Sequence, residues 1–298
     1  MNNEQQIINK LFRDLVRVYS STATSMIGLE SFITAINELE CDRNMLLEKT
    51  QLLSNTIQST QPRMFPLDNF MLMLDKKINL IEQKEKITKE YILQILNEFK
   101  IKLDSDLNIL KETGSTWIEN GDCIVIHSIE ENIEHLIPEA KKRGTNFKIL
   151  LLKQDITTTS KILKILNKSK INFEVIPEHD LIHYFDQITK LFIGTQSLTK
   201  DMHIICDPGT SNIVSECHIH KIPTILFLQT LKFSHYRAIN QNIRKNSYID
   251  KYEGIEYNFS IHSNDVIDLD HINHIITEKG EISKNQVSNI IEEISQSY

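Results

Sequence analysis

At 298 residues, with 40% hydrophobic and 24% charged content, the chain can bury a sizeable core and reads as roughly two ordinary globular domains. A formal net charge of −7, with no strong Lys/Arg cluster, excludes a nucleic-acid sleeve, which needs a basic face. No run approaches about 18 consecutive apolar residues, so no membrane span is expected.

The opening MNNEQQIINKLF lacks the charged-then-apolar layout of a signal peptide. Cys41, Cys123, Cys206 and Cys217 are scattered without a CxxC pair, which reads as reduced thiols and a cytoplasmic setting. Glycine is absent from Leu29 to Thr113, and only Pro62 and Pro66 interrupt that stretch, so long helices can form there. Ile92, Ile95, Leu96, Phe99, Leu103, Leu107 and Leu110 recur at three and four, the stripe of an amphipathic helix. Ile7, Ile8, Leu11 and Leu15 do the same, as do Ile33, Ile36 and Leu39. Gln61-Pro62-Arg63-Met64-Phe65-Pro66 is a bend between helices. Residues 1–115 therefore read as a helical domain.

The texture changes at Gly114. Short apolar runs at 123–126, 147–152, 173–176, 191–193, 204–205 and 224–228 suit strands buried on both faces, as in a parallel sheet. Helical stretches at 130–143 and 157–167 lie between them, so 116–298 reads as a Rossmann-like, doubly wound, mostly parallel α/β domain. A polar loop is expected from 237 to about 265, carrying Tyr248, Tyr252, Tyr257 and Phe259. Helices are expected near 270–277 and 284–295.

In an open parallel sheet, ligands collect at the carboxyl ends of strands. Three segments lie there: His127-Ser128, Gly194-Thr195-Gln196 and Asp207-Pro208-Gly209-Thr210-Ser211. The last supports two readings. Bare backbone N–H groups and hydroxyls could hold an anion, or Thr210 or Ser211 could simply cap a helix. Asp207 beside it favours the second, because it would repel an anion. Ser128 has no visible base, so it reads as a strand-end hydroxyl capping the next helix rather than a nucleophile. His203 and Cys206, followed by Cys217 and His220, have the spacing of two zinc-ligand pairs. An i, i+3 pair on a strand diverges, however, so no metal is expected and both cysteines read as core.

Read in order, these segments resemble the family that joins the alpha, beta and delta subunits of translation initiation factor 2B with methylthioribose-1-phosphate and ribose-1,5-bisphosphate isomerases. Asn120-Gly121-Asp122 through Ser128 resembles its first strand. Thr189-Lys190-Leu191-Phe192-Ile193-Gly194-Thr195 is similar to its strand ending in a glycine and a small residue. Pro208-Gly209-Thr210 looks like the end of its Asn-Lys-x-Gly-Thr motif, and Thr230-Leu231-Lys232-Phe233-Ser234 resembles the Lys-Phe tag of the factor subunits. Ile275-Ile276-Thr277-Glu278-Lys279-Gly280 matches its closing helix. Ser59-Thr60-Gln61-Pro62 through Asn69 is similar to the bend before an Asn-capped helix.

The departures carry the functional expectation. Where the resemblance places a catalytic cysteine, its acidic partner, a phosphate-binding arginine and a lysine, this chain has Ser128, Gln196, Gln61 and Asp207. A glutamine performs no acid–base work near pH 7, and exchanging two cations for an anion weakens a phosphate site. What remains is a vestigial pocket of Gln61, Ser128, Gln196, Asp207, Gly209, Thr210 and Ser211, with no catalytic residue, cofactor or metal. The resemblance implies a regulatory subunit of the guanine nucleotide exchange complex. Its helical domain would meet initiation factor 2, and its α/β domain would pair in a homodimer or with sister 2B-type subunits. Two alternatives stay open: a sugar-phosphate isomerase with a rebuilt site, and a family member repurposed as a binding scaffold.

Overall fold

The computed structural model describes residues 3–60, 63–81, 87–154, 156–240 and 245–295. Five helices come first: α1 (Asn3–Val18), α2 (Ser21–Glu38), α3 (Arg43–Gln58), α4 (Phe65–Asn79) and α5 (Lys89–Ser115). Ser20, Asp42 and Thr88 cap α2, α3 and α5, each side-chain oxygen accepting an N–H three residues on, which satisfies an otherwise orphaned donor. Pro66 sits in the first turn of α4, where its missing N–H is harmless. The apolar stripe of α5 buries Ile92, Ile95, Leu96, Phe99 and Leu103 against Leu29, Phe32, Leu67, Phe70 and Leu74. Phe70 and Phe99 stack with ring centroids 4.8 Å apart.

The remaining chain alternates strands and helices: β1 (Cys123–His127), α6 (Glu131–Lys142), β2 (Lys148–Leu152), α7 (Ile156–Lys168), β3 (Asn172–Ile176), β4 (Lys190–Gly194), β5 (Ser197–Thr199), β6 (His203–Cys206), α8 (Thr210–Ile219), β7 (Thr224–Phe227), β8 (Phe233–Ser234), β9 (Lys245–Tyr252), β10 (Ile255–His262), β11 (Asp265–Asp268), β12 (His274–Thr277), β13 (Gly280–Ile282) and α9 (Lys284–Ser295). Seven of these strands form one sheet in the order β13-β12-β7-β4-β1-β2-β3. Every pair is parallel except β12 with β13. Val125, Leu150, Leu191 and Leu226 feed one hydrophobic core, while Ile124, Ile126, Ile149, Phe192 and Phe227 feed the other. Alternate residues face opposite sides, so burial of both faces is what made these segments read as unbroken apolar runs. The order reverses between β1 and β4, and a crevice opens at such a switch point beyond the carboxyl ends of the strands.

Three expectations are corrected. Residues 204–205 lie in β6, which belongs to a second sheet of order β11-β6-β5-β8 and pairs antiparallel with β5 and β11. Within the expected loop from 237 to 265, β9 and β10 form an antiparallel hairpin closed at Gly254. These strands join neither of the other sheets, and the alternation of apolar and polar residues from Ile255 to His262 is the strand signal that the loop reading passed over. The helix expected near 270–277 is a single 3-10 turn (Leu269–His271) followed by β12. β-Branched Ile275, Ile276 and Thr277 suit a buried strand beside β7 better than a helix. The segment matched to a closing helix is thus a strand and the turn at Gly280 (φ 90°).

A seam of buried polar bonds joins the helices to the sheet. Asn69 Nδ2 donates to the carbonyls of Leu231 (2.7 Å) and Phe233 (2.9 Å). Gln229 Nε2 donates to Leu103 O at 3.1 Å. Leu231, from beyond β7, is itself part of the helical core.

Candidate functional site

At the switch point lies a cavity of about 910 Å³. Its floor is built from residues just past the ends of β1 and β4 (Ile129, Glu130, Gln196), together with Asp207 and Pro208 after β6. Lys153 and Gln154 after β2, Thr157, Thr158 and Lys161 of α7, and Pro177 to His179 after β3 form one wall. Tyr19 to Ser21, at the junction of α1 and α2, and Ile261 of the hairpin complete it. Each strand of the sheet's first half thus ends by delivering polar residues to one hollow.

Of the residues singled out from the sequence, Gln61 lies outside the described residues. Gln196 and Asp207 both line the cavity, and Gln196 Nε2 donates to Asp207 Oδ1 at 3.3 Å. Ser128 is buried in left-handed backbone (φ 47°) just past β1. Its hydroxyl does not cap α6, as expected, but accepts the Asp207 N–H at 3.1 Å. Neither Thr210 nor Ser211 caps α8; the cap position is Gly209, with φ 92° and no side-chain bond. That left-handed conformation suits glycine, and a Cβ there would also stand 3.2 Å from Glu178 Oε2. Ser128, Gly209 and Thr210 are absent from the cavity lining, and so is Ser211. Its N–H (2.9 Å) and hydroxyl (2.8 Å) both donate to Asp265 Oδ2, so the anion at this helix start is the chain's own carboxylate.

Beneath the floor runs a short relay. The single hydroxyl proton of Thr210 goes to Asp207 O at 2.6 Å, so His127 Nδ1, 2.9 Å away, donates to Thr210 Oγ1. His127 Nε2 then faces Glu178 Oε1 at 3.2 Å, a contact that requires a proton on one of the two. His127 is wholly buried, whereas Glu178 stands in the wall.

Glu130 and Lys232 are the residues whose pairing sequence reasoning missed. Lys232 is fully buried; its Nζ lies 2.9 Å from Glu130 Oε2 and donates to Thr195 O at 3.0 Å. Ser21 Oγ donates to the same carboxylate oxygen at 2.9 Å, tying α2 to the cavity floor. Gly194 lets this happen, since a Cβ there would lie 2.7 Å from Glu130 Cβ. Lys232 was visible as part of a tag, but a partner 102 positions away was not. On the wall, burial lifts Glu134 above the usual carboxylate range, partly offset by Lys161 at 2.6 Å.

The four residues with zinc-like spacing go separate ways. Cys206 Sγ contacts Gly194 O at 3.5 Å, and Cys217 is packed in the core. His220 stacks on Phe185 at 3.8 Å, and His203 stands beside Asp201. Burial pushes both thiols up, Cys217 to about 12, which leaves neither a nucleophile at neutral pH. Among the described residues, no group of three or more His, Cys, Asp or Glu side chains could hold a metal ion. No described helix is long and apolar enough to cross a membrane.

Comparison with known proteins gives a consistent picture. The model of the initiation factor 2 subunit family matches residues 17–284. A protein of Pyrococcus horikoshii, named only as like subunit 2 of translation initiation factor eIF-2B, is 24% identical over 229 residues, 76% of this chain and 78% of its own. Ribose 1,5-bisphosphate isomerase of Methanocaldococcus jannaschii is 23% identical over 300 residues, 97% of this chain and 92% of its own. A chain from the crystal structure of the tetrameric eIF2B-beta2-delta2 complex of C. thermophilum superposes with a TM-score of 0.74 at 12% identity, covering 97% of this chain and 95% of its own. At that identity the likeness speaks for the fold.

Proposed function

The chain belongs to the initiation factor 2 subunit family, and we propose that within it this protein is a non-catalytic, assembling subunit of a 2B-type exchange complex. On this reading residues 1–115 meet initiation factor 2, residues 116–298 pair with a sister subunit or a second copy, and the work is done in the cytoplasm without a cofactor or direct nucleic-acid contact.

The observation that carries the reading is the state of Ser128, bonded behind the floor residue Asp207. Its hydroxyl is buried and committed to the Asp207 N–H, and Gln196 beside it neither gives nor takes a proton near pH 7. Gln196 and Asp207 in the cavity lining, with Ser128 and Thr210 bonded to Asp207 from behind and Gly209 next to them, are read as the remnant of a ligand site. Assembly draws support from the hairpin. Tyr252, Ile255, Tyr257, Phe259 and Ile261 fall on one face by strand register and are 43–69% exposed. A two-stranded ribbon of this kind is marginal alone, and aromatic side chains are favoured at interfaces.

Two measurements test the reading. Purified protein incubated with ribose-1,5-bisphosphate or methylthioribose-1-phosphate is expected to give no product. Sedimentation, alone and with 2B-type subunits, is expected to show assembly that Phe259→Asp weakens. Turnover abolished by Gln196→Ala or Ser128→Ala would refute the first part, and a strict monomer that binds no sister subunit would refute the second. A rebuilt isomerase is the second reading, favoured by the intact cavity and by Glu178 in its wall, paired with the buried His127 beneath the floor.

A further inference from the structure

Asp68 lies in the first turn of α4, 3% exposed, next to the Asn69 that bonds the helices to the chain beyond β7. Neither of its carboxylate oxygens receives a hydrogen bond in ordinary geometry. Facing it is Arg63, from the bend before α4, with Nη1 3.5 Å from Oδ2. That same Nη1 donates to Gln58 O (2.9 Å) and to Tyr236 Oη (3.0 Å), and the guanidinium lies 4.1 Å from the centre of the Tyr236 ring. Tyr236 follows β8, so Arg63 bridges the helical region to the sheet region, and Asp68 is the anion beneath the bridge.

A buried carboxylate without donors is a costly charge, and one opposite charge at 3.5 Å offsets it only in part. We propose that the seam between the helical region and the sheet region closes with uptake of a proton on Asp68, so that Asp68 contributes more to holding the two regions together at pH 5 than at pH 7. Burial raises Asp68 to about 6, with the charge and hydrogen-bonding pull of Arg63 acting the other way. Its ordinary value is 3.8. A raised carboxylate means that the closed seam keeps a proton which an opened, hydrated Asp68 would release. The extra stability is therefore complete below about 4 and is lost as the pH rises through about 6.

One neighbouring group titrates across the same window with the opposite sign. His235 is held down from 6.5 to about 4 by burial, then by the cations Arg63 and Lys200, so it is neutral in the closed seam and takes up a proton once opened, which favours opening as the pH falls. Burial, then the Asp68 charge, raises the Tyr236 phenol against the opposing pull of Arg63, so it stays neutral too. Asp75, further along α4, is also raised by burial, but its bonds go to Ser54 and Gln58 within the helical region.

Amide hydrogen exchange in residues 65–79 and 230–236, corrected for intrinsic exchange rates, reads the opening equilibrium directly. Values of 3.8 and about 6 predict that Asp68 adds about a tenfold rise in opening between pH 5 and pH 7, read as the ratio of the wild-type change to that of Asp68→Asn. Asp68→Asn is expected to remove that share and leave the opposite slope of His235, and Arg63→Gln to enlarge the Asp68 share. The same slope in the wild-type chain and in Asp68→Asn would overturn the proposal. Should Asp68→Asn fail to fold, carboxyl carbon-13 titration of the wild-type chain decides: a midpoint near 6 sustains the proposal and one near 4 ends it.

Discussion

Replacing Lys232 with methionine tests whether the cavity floor is held by charge. The aliphatic stem is kept and the ammonium is lost, so Glu130, 6% exposed, keeps Ser21 as its hydroxyl donor but loses its cation. Thr195 O also loses the Lys232 donor. Removing one partner of a buried pair costs about 3–5 kcal/mol, because the other charge stays buried, whereas replacing both is often close to neutral. Lys232→Met alone should therefore lower unfolding stability by about 3–5 kcal/mol, and the Glu130→Gln/Lys232→Met double variant should regain most of that loss. Urea unfolding followed by circular dichroism gives both numbers, with an unchanged m-value as the check on two-state behaviour. A single variant losing under about 1 kcal/mol would mean that water reaches Glu130 and the pair is not buried in solution. A double variant as weak as the single would place the cost in lost packing instead.

Other expectations rest on single contacts. Asn69→Ala leaves the Leu231 and Phe233 carbonyls without their donor and should cost about 2–3 kcal/mol in the same assay. Gly194→Ala sets a methyl 2.7 Å from Glu130 Cβ and 2.9 Å from Ser128 O; about 1–3 kcal/mol or more is expected, since one of the two neighbours is backbone. In the folded protein an Ellman titration should find one fast thiol, Cys41, because Cys123, Cys206 and Cys217 are buried, while denatured protein should give all four.

Much of the fold was legible because the apolar pattern changes period at Gly114. The α5 stripe and the runs that became β1, β2, β4 and β7 each reflect directly which faces are buried. Two failures have physical causes. Ile275-Ile276-Thr277 has no flanking breaker that separates a strand from a short helix, and only its place beside β7 decides. In the β9–β10 hairpin, Ile255 to His262 alternates apolar and polar residues, but the ribbon joins neither of the other sheets, so no run buried on both faces marked it as a strand. At the candidate site, the residues at strand ends were readable, because strand ends are where a parallel sheet puts its ligands. Glu130 with Lys232 and Ser211 with Asp265 were not, since each pair joins positions 102 or 54 apart that only the folded topology brings together.

Helix α5 has a consequence for how the protein is made. Its first half is seated among the other front helices, but Leu110 belongs to the sheet's core, and Gly114 packs where any side chain would meet Leu136 and Phe227. A ribosome releases the front helices first. At about 5–20 residues per second, Phe227 emerges on the order of ten seconds after Gly114. For most of that interval α6, with Leu136, can cover one side of the last turns of α5, but the side that Phe227 seals stays open, and this is where a chaperone would find the nascent chain.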